Sequence, residues 1–102
     1  METNILVIGT EPAILEVIER LINAHPNWHA TIVTTQEAAE QAMKQKKYAI
    51  ALVSAGISAK EEDVLRGVLS GLDPAIVVSR HFGGGSGLLE NEIFGILNFL
   101  QQ

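Results

Sequence analysis

The chain alternates short runs of consecutive apolar residues with longer segments in which apolar residues recur at helical spacing. The first run covers residues 5–8 and ends at Gly9, which is typical of a strand covered on both faces of a parallel sheet. Pro12 favours a helix start, because the first helical turn does not need the N–H group that proline lacks. That helix is predicted to stop before His25 and Pro26. Its predicted sheet-facing residues are Ile14, Val17, Ile18, Leu21 and Ile22.

Three further apolar segments predict strands. They cover residues 28–35, 48–54 and 74–79 and are rich in β-branched and other apolar side chains. The segments between them are long enough for right-handed crossovers. The resulting order, β-α-β-α-β-α-β-loop-α, predicts a three-layer α/β sandwich with a parallel sheet, formed by one domain over residues 1–102.

Two of the intervening helices begin with a cap signature. Thr34 with Glu37, and Ser58 with Glu61, have the Ser/Thr-x-x-Glu spacing of a capping box. The first of these helices is predicted over residues 36–47. The predicted sheet-facing residues are Ala38, Ala39, Ala42 and Met43 in the first helix, and Val64, Leu65, Val68 and Leu69 in the second.

Composition and charge exclude several classes of function. The chain has 47% hydrophobic and 19% charged residues, so it is expected to fold. Its net charge of -5 opposes binding to nucleic acid. The absence of cysteine excludes a disulfide framework, a thiolate nucleophile and a cysteine zinc site. The start of the chain lacks a basic segment and no apolar run is long enough for a membrane span, so we expect a cytoplasmic protein with no membrane partner.

The segment ILVIGTEPAILEVIERL, together with YAIALVS and AIVVS later in the chain, resembles the receiver domain of bacterial response regulators. The resemblance covers about residues 4–80 in element order and spacing, and it implies a flavodoxin-like fold with strand order 2-1-3-4-5. Only residues 80–87 separate the fourth strand from the last helix, which is too few for another helix and strand. We therefore expect four strands in the order 2-1-3-4, with the last helix–strand unit shortened. An alternative is that residues 80–82 form a short extra strand.

The same resemblance places the receiver's phosphorylation site on residues that lack its chemistry. The acidic pair that holds magnesium falls on Gly9 and Thr10, with Glu11 as the only nearby carboxylate. The phosphoryl-accepting Asp falls on Ser54, the Ser/Thr that senses the phosphoryl group is retained as Ser79, and the lysine has no counterpart. Because Mg²⁺ prefers carboxylate ligands and Ser54 cannot form an acyl phosphate, we expect no metal, no cofactor, no Asp phosphorylation and no enzymatic activity.

Two other groups of residues are candidates for ligand binding. The hydroxyl groups of Thr10, Ser54 and Ser79 fall at strand ends, where they are predicted either to bind a small polar ligand or to cap turns. Ser79 and His81 share one side of a strand, but no Asp is evident to orient His81 as a catalytic triad requires. The sequence GGGSG favours either an anion site at a helix start or a flexible connector. It consists of Gly83, Gly84, Gly85, Ser86 and Gly87.

A third group lies near the end of the first helix. His25, Trp28 and His29 suggest metal binding or stacking, but two histidines without a third ligand make a weak metal site. We therefore predict that these residues belong to a solvent-facing loop.

The last helix, predicted from Leu88 to Leu100, has apolar residues over well over half of its circumference. It either fills the space left by the missing elements, pairs with the same helix of a second subunit, or swaps into that subunit through the glycines. We predict a homodimer through this helix and the edge of strand four, and a receiver-like signalling or interaction module. The alternative is a domain that binds a small ligand or phosphate. The predicted interface residues are Ile93, Phe94, Ile96, Leu97 and Leu100.

Overall fold

The computed structural model describes residues 2–81 and 86–100, except for the side chains of residues 86 and 87. Its strands form one parallel sheet in the order β2-β1-β3-β4, which confirms the predicted fold class and strand order. No fifth strand is present among these residues. The strands are β1 (Thr3–Ile8), β2 (Trp28–Val33), β3 (Ile50–Val53) and β4 (Val77–Arg80).

Four helices cover the two faces of the sheet. The first and last pack on one face, and the second and third pack on the other, as the buried clusters show. This is the predicted three-layer arrangement. The helices are α1 (Pro12–Asn23), α2 (Gln36–Gln45), α3 (Ala59–Leu72) and α4 (Ser86–Leu100).

The two central strands form the middle of the core. Alternate side chains of β1 and β3 point to opposite faces of the sheet. Because helices cover both faces, the two strands are apolar at every buried position. Ile5, Val7 and Leu52 contact the α1 and α4 side, and Leu6 and Val53 contact the α2 and α3 side. Both strands are therefore held by helices from two directions, and they position the loops that follow them.

The rotation of α1 differs from the sequence prediction. Its buried residues are Leu15, Ile18 and Ile22, whereas Ile14 and Val17 are exposed. Two neighbouring stripes of this helix are apolar, and periodicity does not decide between them. Packing against the sheet selects the stripe that contains Leu15.

One of the two predicted capping boxes is present. The Glu61 N–H donates to Ser58 Oγ at 3.1 Å, and the Ser58 N–H donates to Glu61 Oε1 at 3.1 Å. These two hydrogen bonds hold the pKa of Glu61 below its ordinary value, and the bond from the Ser58 backbone has the larger effect. The prediction at Thr34 is wrong by one residue, because α2 is capped by Thr35, whose hydroxyl accepts from the Ala38 N–H at 3.0 Å.

The sheet-facing sides of α2 and α3 are partly as predicted. Ala39 and Ala42 of α2 are buried, and Leu65 and Leu69 of α3 are buried. Val64 is exposed, contrary to the prediction. As in α1, two adjacent apolar residues compete for the inner position and only one of them faces the sheet.

Strand β4 begins later than predicted, because a turn follows α3. Asp73 Oδ1 accepts from the Ala75 N–H at 3.0 Å, and the Asp73 carbonyl accepts from the Ile76 N–H at 3.1 Å. Residues 74–76 are therefore held in the turn, and the first ladder bond of β4 runs from the Val77 N–H to the Ala49 carbonyl at 3.1 Å.

Candidate functional site

Open α/β sheets usually bind ligands where the strand order reverses, which here is the crevice between the ends of β1 and β3. The loops after these strands meet at that point. The Thr10 N–H donates to the Ala55 carbonyl at 3.1 Å, and the Ser54 N–H donates to the Ile8 carbonyl at 2.8 Å. The two loops are therefore joined by their own backbone groups across the crevice.

Two glycines allow this close approach. A Cβ atom on Gly9 would lie 3.0 Å from Leu15 Cδ2 and 3.1 Å from Ser54 Cβ. Gly56 has a φ of +92°, and a Cβ atom there would lie 1.7 Å from Thr10 Oγ1. The side chain of Thr10 thus occupies the space above Gly56. The loops after β1 and β3 are therefore packed closely against each other at Gly9 and Gly56.

The residues predicted to form a degenerate receiver pocket differ in burial and do not all lie at the crevice. Gly9 and Ser54 lie together and are buried, and the Ser54 side chain is out of reach because the residue is only 1% exposed. Thr10 and Glu11 are exposed, and Glu11 occupies the N-cap of α1 without a side-chain capping bond. Ser79 lies on β4 opposite Leu52 and is half-buried. The three hydroxyl groups do not share one accessible surface.

The site also lacks the charge that a divalent cation needs. Glu11 is the only carboxylate in the loop after β1, and the loop after β3 begins with Ser54 and Ala55. Among residues 2–81 and 86–100, no group of three or more histidine, aspartate or glutamate side chains is placed to hold a metal ion.

The predicted anion-binding loop is only partly within the described structure. Gly83, Gly84 and Gly85 lie outside the described residues. The backbone of Ser86 and Gly87 forms the start of α4.

A buried histidine at the end of β4 has a partner that the sequence did not reveal. His81 is 5% exposed in its side chain, and its Nδ1 lies 2.8 Å from Glu92 Oε2 on α4. The His81 N–H donates to the Val53 carbonyl at 2.9 Å. A carboxylate therefore does orient His81, and it belongs to a Glu on α4 and not to an Asp. The hydrogen bonds of the described residues include none between His81 and Ser79, so no triad forms.

The open edge of β4 is partly covered by α3. The N–H groups of Val77 and His81 bind β3, so the backbone groups of Val78 face away from the sheet. Arg66 Nη1 donates to the outward Val78 carbonyl at 2.6 Å. Partner strands bind an edge through such groups, and one of them is already occupied. This weakens the prediction that the β4 edge contributes to an interface.

An ion-pair network holds the covering arginine in place. Glu62 accepts from the Arg66 Nη2 group at 2.7 Å and also from Arg80 Nε. Arg80 Nη2 in turn donates to the Ile57 carbonyl at 2.6 Å. The hydrogen bond from Arg80, and to a smaller extent that from Arg66, holds the pKa of Glu62 below its ordinary value. The carboxylate is therefore ionised at neutral pH and ties α3 to the edge strand.

The predicted interface on α4 is divided between core and surface. Ile93 is 0% exposed and packs with Leu89 in the chain's own core, so its side chain does not lie on the surface of the single chain. Ile96 and Leu97 are partly buried against the same core. Phe94 and Leu100 are exposed. Helix α4 therefore fills the space beside α1, as one of the sequence alternatives proposed.

The most exposed apolar side chains of α4 lie on a stripe that the sequence analysis did not single out. Leu88 is 56% exposed and Phe99 is 70% exposed. Their spacing of eleven residues places them on one side of the helix, with Gly95 between them. Glu92 lies on the same side and contacts His81, so this side faces β4. We call Leu88, Gly95 and Phe99 the outer stripe of α4.

Comparison with protein-family models, with curated proteins and with solved structures found no match to this chain. The parallel sheet and its strand order are compatible with a flavodoxin-like fold. Within the described part of the chain, no helix has the length and apolar character that crossing a membrane requires. The likeness to receiver domains therefore rests on the residues quoted from the sequence.

Proposed function

We propose that this chain is a non-catalytic, receiver-like module for signalling or protein interaction, and that it acts as a homodimer without phosphorylation on Asp. The close packing of the loops after β1 and β3 supports the absence of phosphoryl chemistry. Ser54, which takes the place of the phosphoryl-accepting Asp, is buried, and the Thr10–Ala55 hydrogen bond closes the loops over it. The alternative, a ligand site built from strand-end hydroxyls, has less support because the Ser54 hydroxyl is out of reach.

The observation that carries the interaction proposal is the outer stripe of α4. Leu88 and Phe99 expose large apolar side chains on a helix whose neighbouring side already forms the core. Because more than half of each side chain is exposed, neither buries as much apolar surface in the single chain as a residue of its size could. We infer that these two side chains become continuous with apolar surface of a partner, whose burial contributes about 25 cal/mol per Å² of apolar area.

A second copy of this chain fits the stripe best. Helix α4 contains no Lys or Arg, and its only charged residues are Glu90 and Glu92. Glu92 is engaged by His81, and Glu90 lies about 160° around the helix from Glu92. Two outer stripes related by a two-fold axis therefore meet without opposing unpaired charges. Gly95 has no atom within 4 Å of a Cβ built on it, so a second helix can approach closely at this point.

We expect the purified chain to sediment as a dimer and Phe99→Asp to convert it to a monomer. The substitution places a carboxylate within the proposed contact, where its burial costs several kcal/mol. Because Phe99 is exposed, the far-UV circular dichroism and the thermal midpoint at dilute protein concentration should stay close to those of the wild type. Sedimentation equilibrium measures the molar mass over a range of concentrations.

Val64→Asp is the matched control, because Val64 is an exposed apolar residue on the opposite face of the sheet. It should leave the dimer intact. Gly95→Leu tests the same contact without adding charge, and it should weaken the dimer because the larger side chain separates the two helices. A monomeric wild-type chain at millimolar concentration contradicts the proposal, as does equal dissociation by the Phe99 and Val64 variants.

Incubation with acetyl phosphate and Mg²⁺ should leave the mass of the intact chain unchanged. The physical reason is the absence of both a phosphoryl acceptor and a carboxylate pair at residues 9, 10 and 54. Intact-protein mass spectrometry provides the measurement, and a phosphorylatable receiver domain in the same incubation provides the positive control. The gain of one acid-stable or acid-labile phosphoryl group on the chain contradicts this part of the proposal.

A further inference from the structure

A cavity of about 550 Å³ lies at the opposite end of the sheet from the crevice. It is formed where the amino ends of β1, β2 and β3 meet the last turn of α4. Its size falls within the range of small-molecule sites, and its wall combines apolar side chains with a few polar ones, as such sites do. The residues that matter for its chemistry are Asn4, His25, Trp28, Lys47, Leu97 and Leu100.

The apolar wall is built on an aromatic cluster. The rings of His25 and Trp28 stack with centroids 3.9 Å apart and planes 12° apart. Phe94 packs against both, with centroids 5.6 Å from His25 and 4.9 Å from Trp28. Trp28 is buried, so the prediction that it belongs to a solvent-facing loop is wrong. The stacked pair forms a rigid, flat surface at one side of the cavity.

One polar atom in this wall has no partner within the described chain. His25 Nδ1 is buried and makes no hydrogen bond to any described residue. Buried nitrogen atoms of this kind are nearly always hydrogen-bonded, and leaving one unpaired costs about 1–3 kcal/mol. Because Nδ1 is itself shielded from solvent, the His25 ring belongs to the packed wall of the cavity and is not a polar contact point for an occupant.

The rim of the cavity is positively charged on one side. Asn4 Nδ2 donates to the Lys47 carbonyl at 3.2 Å and so fixes the backbone that carries this lysine. Lys47 forms no ion pair with a described residue. The acidic side chain at the rim, Glu2, is engaged by His29 Nε2 at 2.6 Å. In a chain with a net charge of -5, Lys47 is thus an unpaired cation beside an apolar cavity.

We propose that this cavity binds a small amphiphile with a ring-sized apolar body and one anionic head. The apolar body lies against Trp28, Leu97 and Leu100. The anionic head binds Lys47 at the rim. This site is independent of the dimer contact, because the outer stripe of α4 does not line the cavity.

Trp28 is the only tryptophan of the chain and lies in the wall of this cavity, so it is the single donor for energy transfer to a bound probe. The test uses 8-anilinonaphthalene-1-sulfonate and its uncharged parent, N-phenyl-1-naphthylamine, as acceptors of energy transfer from Trp28. Both probes should bind saturably, the sulfonate more tightly. Lys47→Gln should weaken sulfonate binding by about threefold to fivefold, as expected for one exposed ion pair, and leave the uncharged probe unchanged. Lys60→Gln removes the same charge at the other end of the sheet and should change neither affinity.

A second pair of variants separates the cavity from the exposed outer stripe. Leu100→Ser removes part of the cavity wall and should weaken both probes by about tenfold. Phe99→Ser removes a larger exposed side chain beside it and should change neither affinity. The proposal is overturned by the absence of saturable energy transfer, by equal effects of the two lysine variants, or by Phe99→Ser weakening the probes as much as Leu100→Ser. The monomeric Phe99→Asp chain retains the cavity, so its probe binding should persist whether or not the wild type dimerises.

Discussion

Replacing Gly56 by Ala is expected to lower the free energy of unfolding by about 2–4 kcal/mol, by forcing a left-handed φ on a residue with a side chain and by overpacking. The φ of Gly56 is +92°, and the added Cβ atom would lie 1.7 Å from Thr10 Oγ1. The loop after β3 must therefore shift away from the loop after β1. Urea denaturation followed by circular dichroism measures the loss.

The Thr10→Ala background separates the two causes of this loss. Without Thr10 Oγ1 the steric overlap largely disappears while the strained φ remains, so Gly56→Ala should cost about 1–2 kcal/mol less there. Gly67→Ala is the matched control, because a Cβ atom at this helical position meets no atom within 4 Å and should stabilise the chain. Equal costs of Gly56→Ala in both backgrounds would show that Thr10 does not close the crevice.

Replacing Ile93 by Ala is expected to lower the free energy of unfolding by about 2–5 kcal/mol, the usual range for truncating a buried isoleucine. Ile93 is 0% exposed and belongs to the cluster that joins α1, α4 and the sheet. The substitution leaves a cavity under α4 that the rigid sheet cannot fill. Thermal and urea denaturation at several protein concentrations provide the measurement.

Asn91→Ala is the control on the same helix, because Asn91 is exposed and its substitution should change stability by no more than about 0.5 kcal/mol. The cost of Ile93→Ala should be the same at every protein concentration, since α4 packs on the sheet of its own chain. A cost that appears only at concentrations where the dimer forms would show instead that α4 is exchanged between subunits.

Closely packed loops and an exposed helix stripe occur together in this chain. In the receiver-like module that we propose, no phosphorylation step changes the geometry of these loops. Its proposed association is then governed by concentration. Leu97 and Leu100 line the cavity and belong to the helix that carries the outer stripe. A ligand in the cavity therefore contacts the element through which we propose that two copies associate.

Much of the fold was predictable because its causes are local. The apolar runs that became β1 and β3, the capping box at Ser58 and the short interval after β4 can all be recognised from neighbouring residues. The lack of metal-binding carboxylates at Gly9 and Thr10 is likewise a property of residue types. For this reason the fold class and the deficit of negative charge in the crevice followed from residue types and spacing, whereas the strand order followed from the resemblance to receiver domains.

Other features depended on contacts between distant parts of the chain. The rotation of α1 was decided by how the helix packs on the sheet, since two of its stripes are equally apolar. The partner of His81 was not evident because Glu92 lies on another element, eleven residues away.

The sequence by itself determined which segments become strands and helices, and which chemistry the crevice lacks, because these follow from residue type and local spacing. Only the tertiary structure decided which apolar side chains of α4 are buried and which are exposed. It also brought Trp28, His25 and Lys47 around one cavity. These outcomes depend on the packing of whole elements against one another, in which the position of each side chain is set by residues far from it in the sequence.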